Sequence, residues 1–346
     1  MFTEVEGGYQ VTGASLLDRF YKNYTVVIPS HYNGKPVVAI SDNAFKGYTS
    51  LMSVVIPDTV KTIGNSAFEG CILLSSVDIP DSVTHIWNDA FNGCTSLTSV
   101  TIPDSVTTIE SNTFSNCISL TSVIIPDGII VISPYAFAYC TSLTSVTIPD
   151  SVTRIFEYAF CNCDSLTNVA IGDSVTYIGL GAFEGCKSLT SVTIPDSITG
   201  IGFGVFEGCK SLTYNIYDNA KYLGSDTNPY LALIGATSKE ITSCSIHSDA
   251  KLIGAGAFYD CRSLTSMTIH SSITGIGSSV FRNCTSLTSV TIPDSVTAIG
   301  DYAFDDCTSL TSVYYSGTQT DWEKIKISTT NDCLTGANIT FDSNNP

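Results

Sequence analysis

The chain has 346 residues, of which 43% are hydrophobic and 14% are charged, and its 32 acidic and 15 basic residues give a formal net charge of −17. This excess of negative charge repels phosphate backbones and anionic lipid headgroups, which argues against nucleic acid and membrane surfaces as partners. The sequence contains no run of about 18 apolar residues, so it predicts no helix inserted in a membrane.

Residues 1–27 do not follow the pattern of the rest of the chain, and we predict that they form an N-terminal cap. They include Glu4 and Glu6 and lack the basic start and the continuous apolar stretch of a signal peptide. We therefore expect either a cytoplasmic protein or the mature segment of an exported one.

Residues 28–314 repeat one unit of 23 residues, which is clearest in LTSVTIPDSVTTI at residues 97–109. Each unit ends a Val-x-Ile strand signal at a proline, because proline cannot donate to a sheet ladder. One strand every 23 residues predicts an α/β repeat solenoid of the leucine-rich-repeat type, with about 12 coils and a parallel β-sheet on one face. A longer variant at residues 217–245 is predicted to be one enlarged coil.

Ten of the 13 cysteines occupy one column of this repeat. An odd total in a single column favours buried thiols stacked as small hydrophobic groups. Isolated disulfides between neighbouring coils are the alternative, because adjacent coils lie within the range of disulfide geometry.

An aspartate recurs at the position after the proline column and is expected to lie beside its neighbours on adjacent coils. Weak Ca²⁺ binding would relieve the repulsion within this row, whereas the alternative is that each carboxylate caps its own turn in solvent. We favour the second interpretation and predict no cofactor, no metal site and no catalytic residues. The row comprises Asp58, Asp81, Asp104, Asp127, Asp150, Asp173 and Asp196.

The expected outer face of the sheet consists mainly of Ser and Thr and lacks the aromatic and arginine side chains that dominate binding surfaces. Aromatic residues lie instead in the segment after the strand, and the enlarged coil has a polar tip. We predict a partner surface from these two regions, although the rings could also pack inward and the tip could be a tolerated bulge. The candidates are Trp87, Tyr135, Phe156, Tyr158 and Phe203, with Asp226, Asn228 and Tyr230 at the tip.

Residues 315–346 are predicted to form a C-terminal cap that contains a short helix. Thr320 and Glu323 have the spacing of a capping box at the start of this helix. Trp322 is then expected to cover the exposed end of the core.

The repeat C-x-x-L-x-x-V-x-I-P-D-S-V-x-x-I-x-x-x-A-F resembles the BspA-like, or Treponema pallidum-type, leucine-rich repeats of bacterial surface proteins. The resemblance covers about residues 25–335 and includes the stretch YDNAKYLGSDTNPYLALIGATSKEITSCSIHSDAKLIGAGAF at residues 217–258. It implies a horseshoe-shaped solenoid, an extracellular or cell-surface location and, as in some members, an adhesin that binds host extracellular proteins.

We therefore expect a non-enzymatic binding scaffold, cell-surface or secreted, that engages a host or matrix protein or a glycan. The alternative is a structural spacer or stalk that presents another domain. The sequence does not indicate an oligomeric state.

Overall fold

The structure is a computed structural model that describes residues 1–13 and 24–342. Residues 14–23 of the predicted N-terminal cap and 343–346 of the predicted C-terminal cap lie outside the described residues. The chain forms a parallel β-solenoid of about 14 turns with almost no helix, which confirms the predicted leucine-rich-repeat solenoid and extends its number of coils. Contacts divide it into two compact units: unit 1 contains residues 1–192 and 205–212, and unit 2 contains residues 193–204 and those from 213 onward.

The strands of unit 1 are short and recur in two alternating series. They are β1 (Phe2–Val5), β2 (Gly8–Val11), β3 (Tyr24–Val27), β4 (His31–Tyr32), β5 (Lys35–Ile40), β6 (Leu51–Val55), β7 (Thr62–Ile63), β8 (Ser76–Asp78), β9 (His85–Ile86), β10 (Ser99–Thr101), β11 (Thr108–Ile109), β12 (Ser122–Ile124), β13 (Val131–Ile132), β14 (Ser145–Ile148), β15 (Arg154–Ile155), β16 (Asn168–Ile171), β17 (Tyr177–Ile178) and β18 (Ser191–Val192).

Unit 2 continues the same pattern and adds two short helices near its C-terminal end. Its elements are β19 (Gly200–Ile201), β20 (Asn215–Tyr217), β21 (Ala220–Leu223), β22 (Ala232–Ala236), β23 (Leu252–Ile253), β24 (Ser266–Thr268), β25 (Gly275–Ile276), β26 (Ser289–Ile292), β27 (Ala298–Ile299), β28 (Ser312–Tyr315), α1 (Gln319–Trp322), β29 (Lys326–Ile327), α2 (Asp332–Thr335) and β30 (Asn338–Phe341).

Each repeat contributes two strands, which form two parallel ladders. In the first ladder, β8, β10 and β12 pair in register, with the central valine buried and its neighbours exposed. This is the predicted strand. The second ladder consists of two-residue strands such as β13, β15 and β17, which the sequence analysis did not predict. Two residues are too few to show an alternating pattern, so only the isoleucine of each pair gave a signal.

A column of phenylalanines forms the centre of each unit. In unit 1 the rings of eight successive coils are fully or almost fully buried and stack nearly parallel, with centroids 5.2–5.8 Å apart. The recurring Ala-Phe pair explains this arrangement, since the small alanine leaves room for one large ring per coil. The rings belong to Phe45, Phe68, Phe91, Phe114, Phe137, Phe160, Phe183 and Phe206.

The cysteine column runs beside the phenylalanine column. Every cysteine of the described chain is a free thiol, and those of the repeat column are buried, which favours the predicted stacked thiols over disulfides. Nine of the ten column thiols donate to the carbonyl of the residue 26 positions earlier; the Sγ of Cys140, for example, donates to the carbonyl of Phe114 at 3.2 Å. Burial raises the pKa of Cys117 and Cys140 well above the ordinary value of a thiol.

The threonine of the Leu-Thr-Ser segment explains a further regularity of the repeat. Its hydroxyl donates to a backbone carbonyl of the preceding coil, and in five successive coils of unit 1 the oxygen–oxygen distances are 3.0–3.3 Å. Neighbouring coils are thus joined by side-chain bonds as well as by the two ladders, because a threonine directly before the strand of the first ladder reaches a carbonyl of the preceding coil.

The N-terminal segment joins the second ladder. β1 and β2 form an antiparallel hairpin, and β2 pairs in parallel with β5. An exposed sheet edge invites pairing with other chains, and β1, the strand at this edge, is short and includes the charged Glu4, two features that discourage such pairing.

At the C-terminal end, β29 and β30 extend both ladders of unit 2 by one more strand each. The residue that caps α1 is Thr318, whose side chain accepts from the backbone N–H of Asp321 at 3.2 Å. The predicted capping box is therefore wrong, because Thr320 lies inside the helix and Glu323 ends it. Trp322 packs on the hydrophobic core, with its ring edge-on to Tyr315 at 5.2 Å.

The enlarged coil contains an antiparallel meander. β20, β21 and β22 pair in sequence order, and β22 then returns to the parallel pattern beside β23. After the meander, residues 241–246 form no strand apart from a single parallel bridge between Ser245 and Thr268. The extra residues therefore form a folded hairpin.

Candidate functional site

The predicted aromatic residues of unit 1 lie in the turns that follow the second ladder. Trp87 and Phe156 come directly after β9 and β15, at a position where most other coils have glycine. Trp87 is 41% exposed and Tyr135 is 37% exposed, whereas Phe156 and Tyr158 are half-buried. These rings lie at the surface and pack partly against their neighbours.

Around Trp87 and Phe156, unit 1 has two separate aromatic groups rather than one continuous strip. His85 and Trp87 stack at 5.8 Å, with 16° between their planes. The guanidinium of Arg154 lies over the rings of Phe156 and Tyr177, at 5.2 and 5.3 Å from their centroids. The coils between the two groups have Glu110 and Ser133 at the position of Trp87 and Phe156, so aromatic residues do not continue from coil to coil at this position.

The sequence analysis missed three members of these groups: His85, Arg154 and Tyr177. All three occupy the outward position of a two-residue strand of the second ladder, and β15 and β17 pair Arg154 with Tyr177 in register. The only available signal was the residue before each isoleucine, which lies two positions before the column of Trp87 and Phe156. Burial and the charge of Glu157 raise the pKa of Tyr177, so its hydroxyl stays protonated and neutral at physiological pH.

Tyr135 and Tyr158 form a second kind of contact on adjacent coils. Their rings stack at 5.0 Å and 17°. Both residues have left-handed backbone, with φ of 58° and 56°, which costs a non-glycine residue roughly 1–2 kcal/mol. Burial first, and then the charge of Glu184, raises the pKa of Tyr158. Residues at the same position of other coils, such as Asn112 and Ser279, have left-handed backbone as well, so this conformation belongs to the turn of the repeat and only the ring stack distinguishes Tyr135 and Tyr158.

Phe203 belongs to unit 2 and has its own partners there. Its ring meets Tyr259 edge-on at 5.3 Å, and it lies directly against Gly256, where any side chain would overlap the ring.

The tip of the enlarged coil is largely held in place by internal contacts. The amide of Asn228 donates to the carbonyl of Asp249 at 2.9 Å, and its oxygen accepts from the backbone of Tyr230 at 3.1 Å. The ring of Tyr230 stacks on His247 at 4.0 Å. Among the three predicted tip residues only Asp226 is fully exposed, so Asn228 and Tyr230 have structural contacts that would compete with a partner.

The aspartate row shows local hydrogen bonds at two positions. Asp150 accepts from the backbone N–H of Asp173 at 2.8 Å, and Asp196 accepts from the hydroxyls of Ser225 and Thr227 at 2.9 and 3.3 Å. Within residues 1–13 and 24–342, no group of three or more His, Cys, Asp or Glu side chains is placed to hold a metal ion.

The family model for the BspA type Leucine rich repeat region (6 copies) matches residues 38–163, 107–229 and 236–345 of the chain. Because these matches cover most of the chain, the protein belongs to the BspA-type leucine-rich repeat family. Such proteins are generally protein-interaction scaffolds and are typically non-enzymatic. No curated protein sequence matches the chain.

Several solved structures are similar to this chain over nearly its whole length. A leucine-rich repeat protein from Bacteroides ovatus is 26% identical, with 99% of this chain and 98% of that chain covered and a TM-score of 0.49. A leucine rich cell surface protein from Faecalibacterium prausnitzii is 28% identical, with 94% and 95% covered and a TM-score of 0.46. The T. pallidum Leucine Rich Repeat protein is 19% identical, with 90% and 87% covered and a TM-score of 0.20.

The family consists of bacterial surface proteins. In the described part of the chain, no helix combines the length and the apolar character that crossing a bilayer requires.

Proposed function

We propose that this protein is a non-enzymatic, adhesin-like binding scaffold at the bacterial cell surface or in the extracellular space, and that it engages a host or matrix protein, or a glycan. One observation supports the proposal: Arg154 and Tyr177 lie on the second ladder of unit 1, Trp87 directly follows a strand of that ladder, and each is part of an aromatic group. Trp, Tyr and Arg are the residues that contribute most binding energy at interfaces.

The contrast with the first ladder supports the same surface. There the outward residues are mainly hydroxyl-bearing, as at Ser99 and Thr101 of β10 and Ser145 and Thr147 of β14. Their hydroxyls offer small, adaptable contacts, but no large side chain that could fill a pocket on a partner. The second ladder is therefore the better candidate for the contact face.

A binding screen against arrayed extracellular-matrix proteins and glycans tests the proposal, with the wild-type protein compared with the Trp87→Ser/Phe156→Ser double variant. The matched control is Tyr302→Ser, because Tyr302 is also an exposed ring (41%), in unit 2, with an arginine over it at 5.1 Å. We expect a hit that the double variant loses and the control retains. Thermal unfolding checks that both variants are folded.

A hit that survives the double variant would place the contact elsewhere on the protein. Silence across the array from the folded wild-type protein would contradict the binding proposal and favour the structural spacer.

A further inference from the structure

One column of the repeat places ion pairs between successive coils. Lys46 pairs with Glu69 of the next coil at 2.7 Å, and Arg282 pairs with Asp305 of the next coil at 3.0 Å. Counted along the 23-residue period, these four residues occupy the same position, which we call the ion-pair column. The cation comes from one coil and the carboxylate from the next.

In unit 2 the column also involves an aromatic ring. The guanidinium of Arg282 lies over the ring of Tyr302 at 5.1 Å from its centroid, while its Nε faces the carboxylate of Asp305. Tyr302 has left-handed backbone, with φ of 59°. An arginine, a left-handed tyrosine and a carboxylate three residues after it thus form one complete arrangement within the chain.

In unit 1 the same columns hold the tyrosines and the carboxylates without the arginine. Glu184 and Glu207 occupy the ion-pair column of successive coils, and the preceding coil has Cys161 there. Neither glutamate forms a salt bridge within the described ranges, and the charge of Glu207 contributes, after burial, to a raised pKa of Glu184. Two adjacent carboxylates therefore lack the cation that the column supplies in unit 2.

The tyrosine rings of unit 1 lie beside these carboxylates. Tyr135 and Tyr158 stack at 5.0 Å, and the ring of Tyr158 lies against Gly181. A Cβ placed on Gly181 would be 2.6 Å from Cδ1 of Tyr158 and 2.9 Å from Oε2 of Glu184. The ring and the carboxylate therefore border the same small space.

These tyrosines are not needed to build the turns. The same left-handed position is taken by Asn43 and Asn112 in other coils and by Gly181 in the next coil. Asparagine and glycine adopt this backbone more readily than a bulky residue does. The ring pair is thus an addition to a turn that the fold forms without it.

We propose that the stacked Tyr135 and Tyr158, together with Glu184 and Glu207, form a recognition site for an arginine side chain in an exposed segment of a partner protein. The proposal rests on the proposed binding function and specifies the chemistry of one contact. A guanidinium can stack on an aromatic face and pair with a carboxylate through its planar fork, and Arg282 lies between such a pair of groups, over the ring of Tyr302 and 3.0 Å from the carboxylate of Asp305. The net charge of −17 favours the approach of a basic segment.

The test measures fluorescence anisotropy of a labelled Gly-Ser peptide that contains arginines, with the full chain at low and at physiological ionic strength. Two matched peptides replace each arginine with citrulline, its neutral analogue of similar shape, or with lysine. We expect the citrulline peptide to lose binding and the lysine peptide to bind several-fold more weakly, because an ammonium ion lacks the planar fork.

The protein variants isolate the site. Tyr135→Asn/Tyr158→Asn keeps a residue type that the turn already uses, and Glu184→Gln removes one carboxylate; each is expected to weaken binding of the arginine peptide about tenfold. Tyr302→Asn is one control, because Tyr302 also has left-handed backbone but its ring is already covered by Arg282. Asp226→Asn is the second control, because it removes one exposed charge away from the site. Both controls are expected to bind as the wild type does.

Equal binding of the arginine and lysine peptides, or equal losses in Glu184→Gln and Asp226→Asn, would show attraction by net charge alone and would overturn the proposal. Absence of arginine-peptide binding would overturn it as well. The binding function is tested separately: an array partner of the wild-type protein together with absent or non-discriminating peptide binding leaves that function intact while this site is disproved. A discriminating peptide with a silent array would support the site and contradict the array-based function.

Discussion

Replacement of Phe137 with alanine tests whether the ring column carries the stability of unit 1. The side chain is fully buried and stacks on Phe114 at 5.5 Å and on Phe160 at 5.3 Å. Removal of a buried phenylalanine ring costs about 3–5 kcal/mol. Because two ring pairs are lost, each of about 0.5–1.5 kcal/mol, we expect the upper end of that range, about 5 kcal/mol.

The assay is urea unfolding followed by circular dichroism, with hydrogen exchange to locate the effect. Since coils of a solenoid contact only their neighbours, faster exchange should be confined to the coils around residue 137. Phe156→Ala is the matched control, because its ring is half-buried and covered by Arg154, and we expect it to cost about 1 kcal/mol. A loss below about 2 kcal/mol for Phe137→Ala, or equal losses in the two variants, would refute the reasoning.

Three further measurements test other parts of the structure. Alkylation of the native protein at pH 8, followed by mass spectrometry, should modify at most Cys333, the least buried thiol, since burial keeps the others protonated; rapid reaction of the column thiols would contradict their burial. Gly181→Ala should displace the ring of Tyr158 and cost at least the roughly 1–2 kcal/mol of a left-handed non-glycine residue, and an unchanged Tyr158 ring signal in NMR would disprove the contact. Hydrogen bonds from Lys324 and from Thr318, the residue that caps α1, lower the pKa of Asp321 to about 2. Its contribution to stability should therefore be full above the ordinary aspartate pKa and be lost as the pH falls toward 2. A carboxyl NMR titration with an ordinary midpoint would contradict that interaction.

The sequence alone determined the repeat and its core. The 23-residue period, the Val-x-Ile strand ended by proline and the phenylalanine and cysteine columns all report burial directly, because an apolar residue that returns at a fixed interval must meet its copies in a stack. The period of the repeat also placed Trp87, Tyr135, Phe156 and Tyr158 in one segment of the coil, but it did not show which side chains each of these rings contacts.

Only the tertiary structure decided which side chains meet across coils. The second ladder brings Arg154 to Tyr177, and the ion-pair column brings Arg282 to Asp305, over sequence separations of 23 residues. Two-residue strands carry no periodic signal, and a single charged residue in a variable segment does not reveal its partner. The capping residue Thr318 was missed for a different reason: its cap is a local hydrogen bond, and by sequence Thr320 was an equally suitable cap. The repeat therefore specifies the scaffold, whereas the contacts proposed to bind a partner depend on how adjacent coils align.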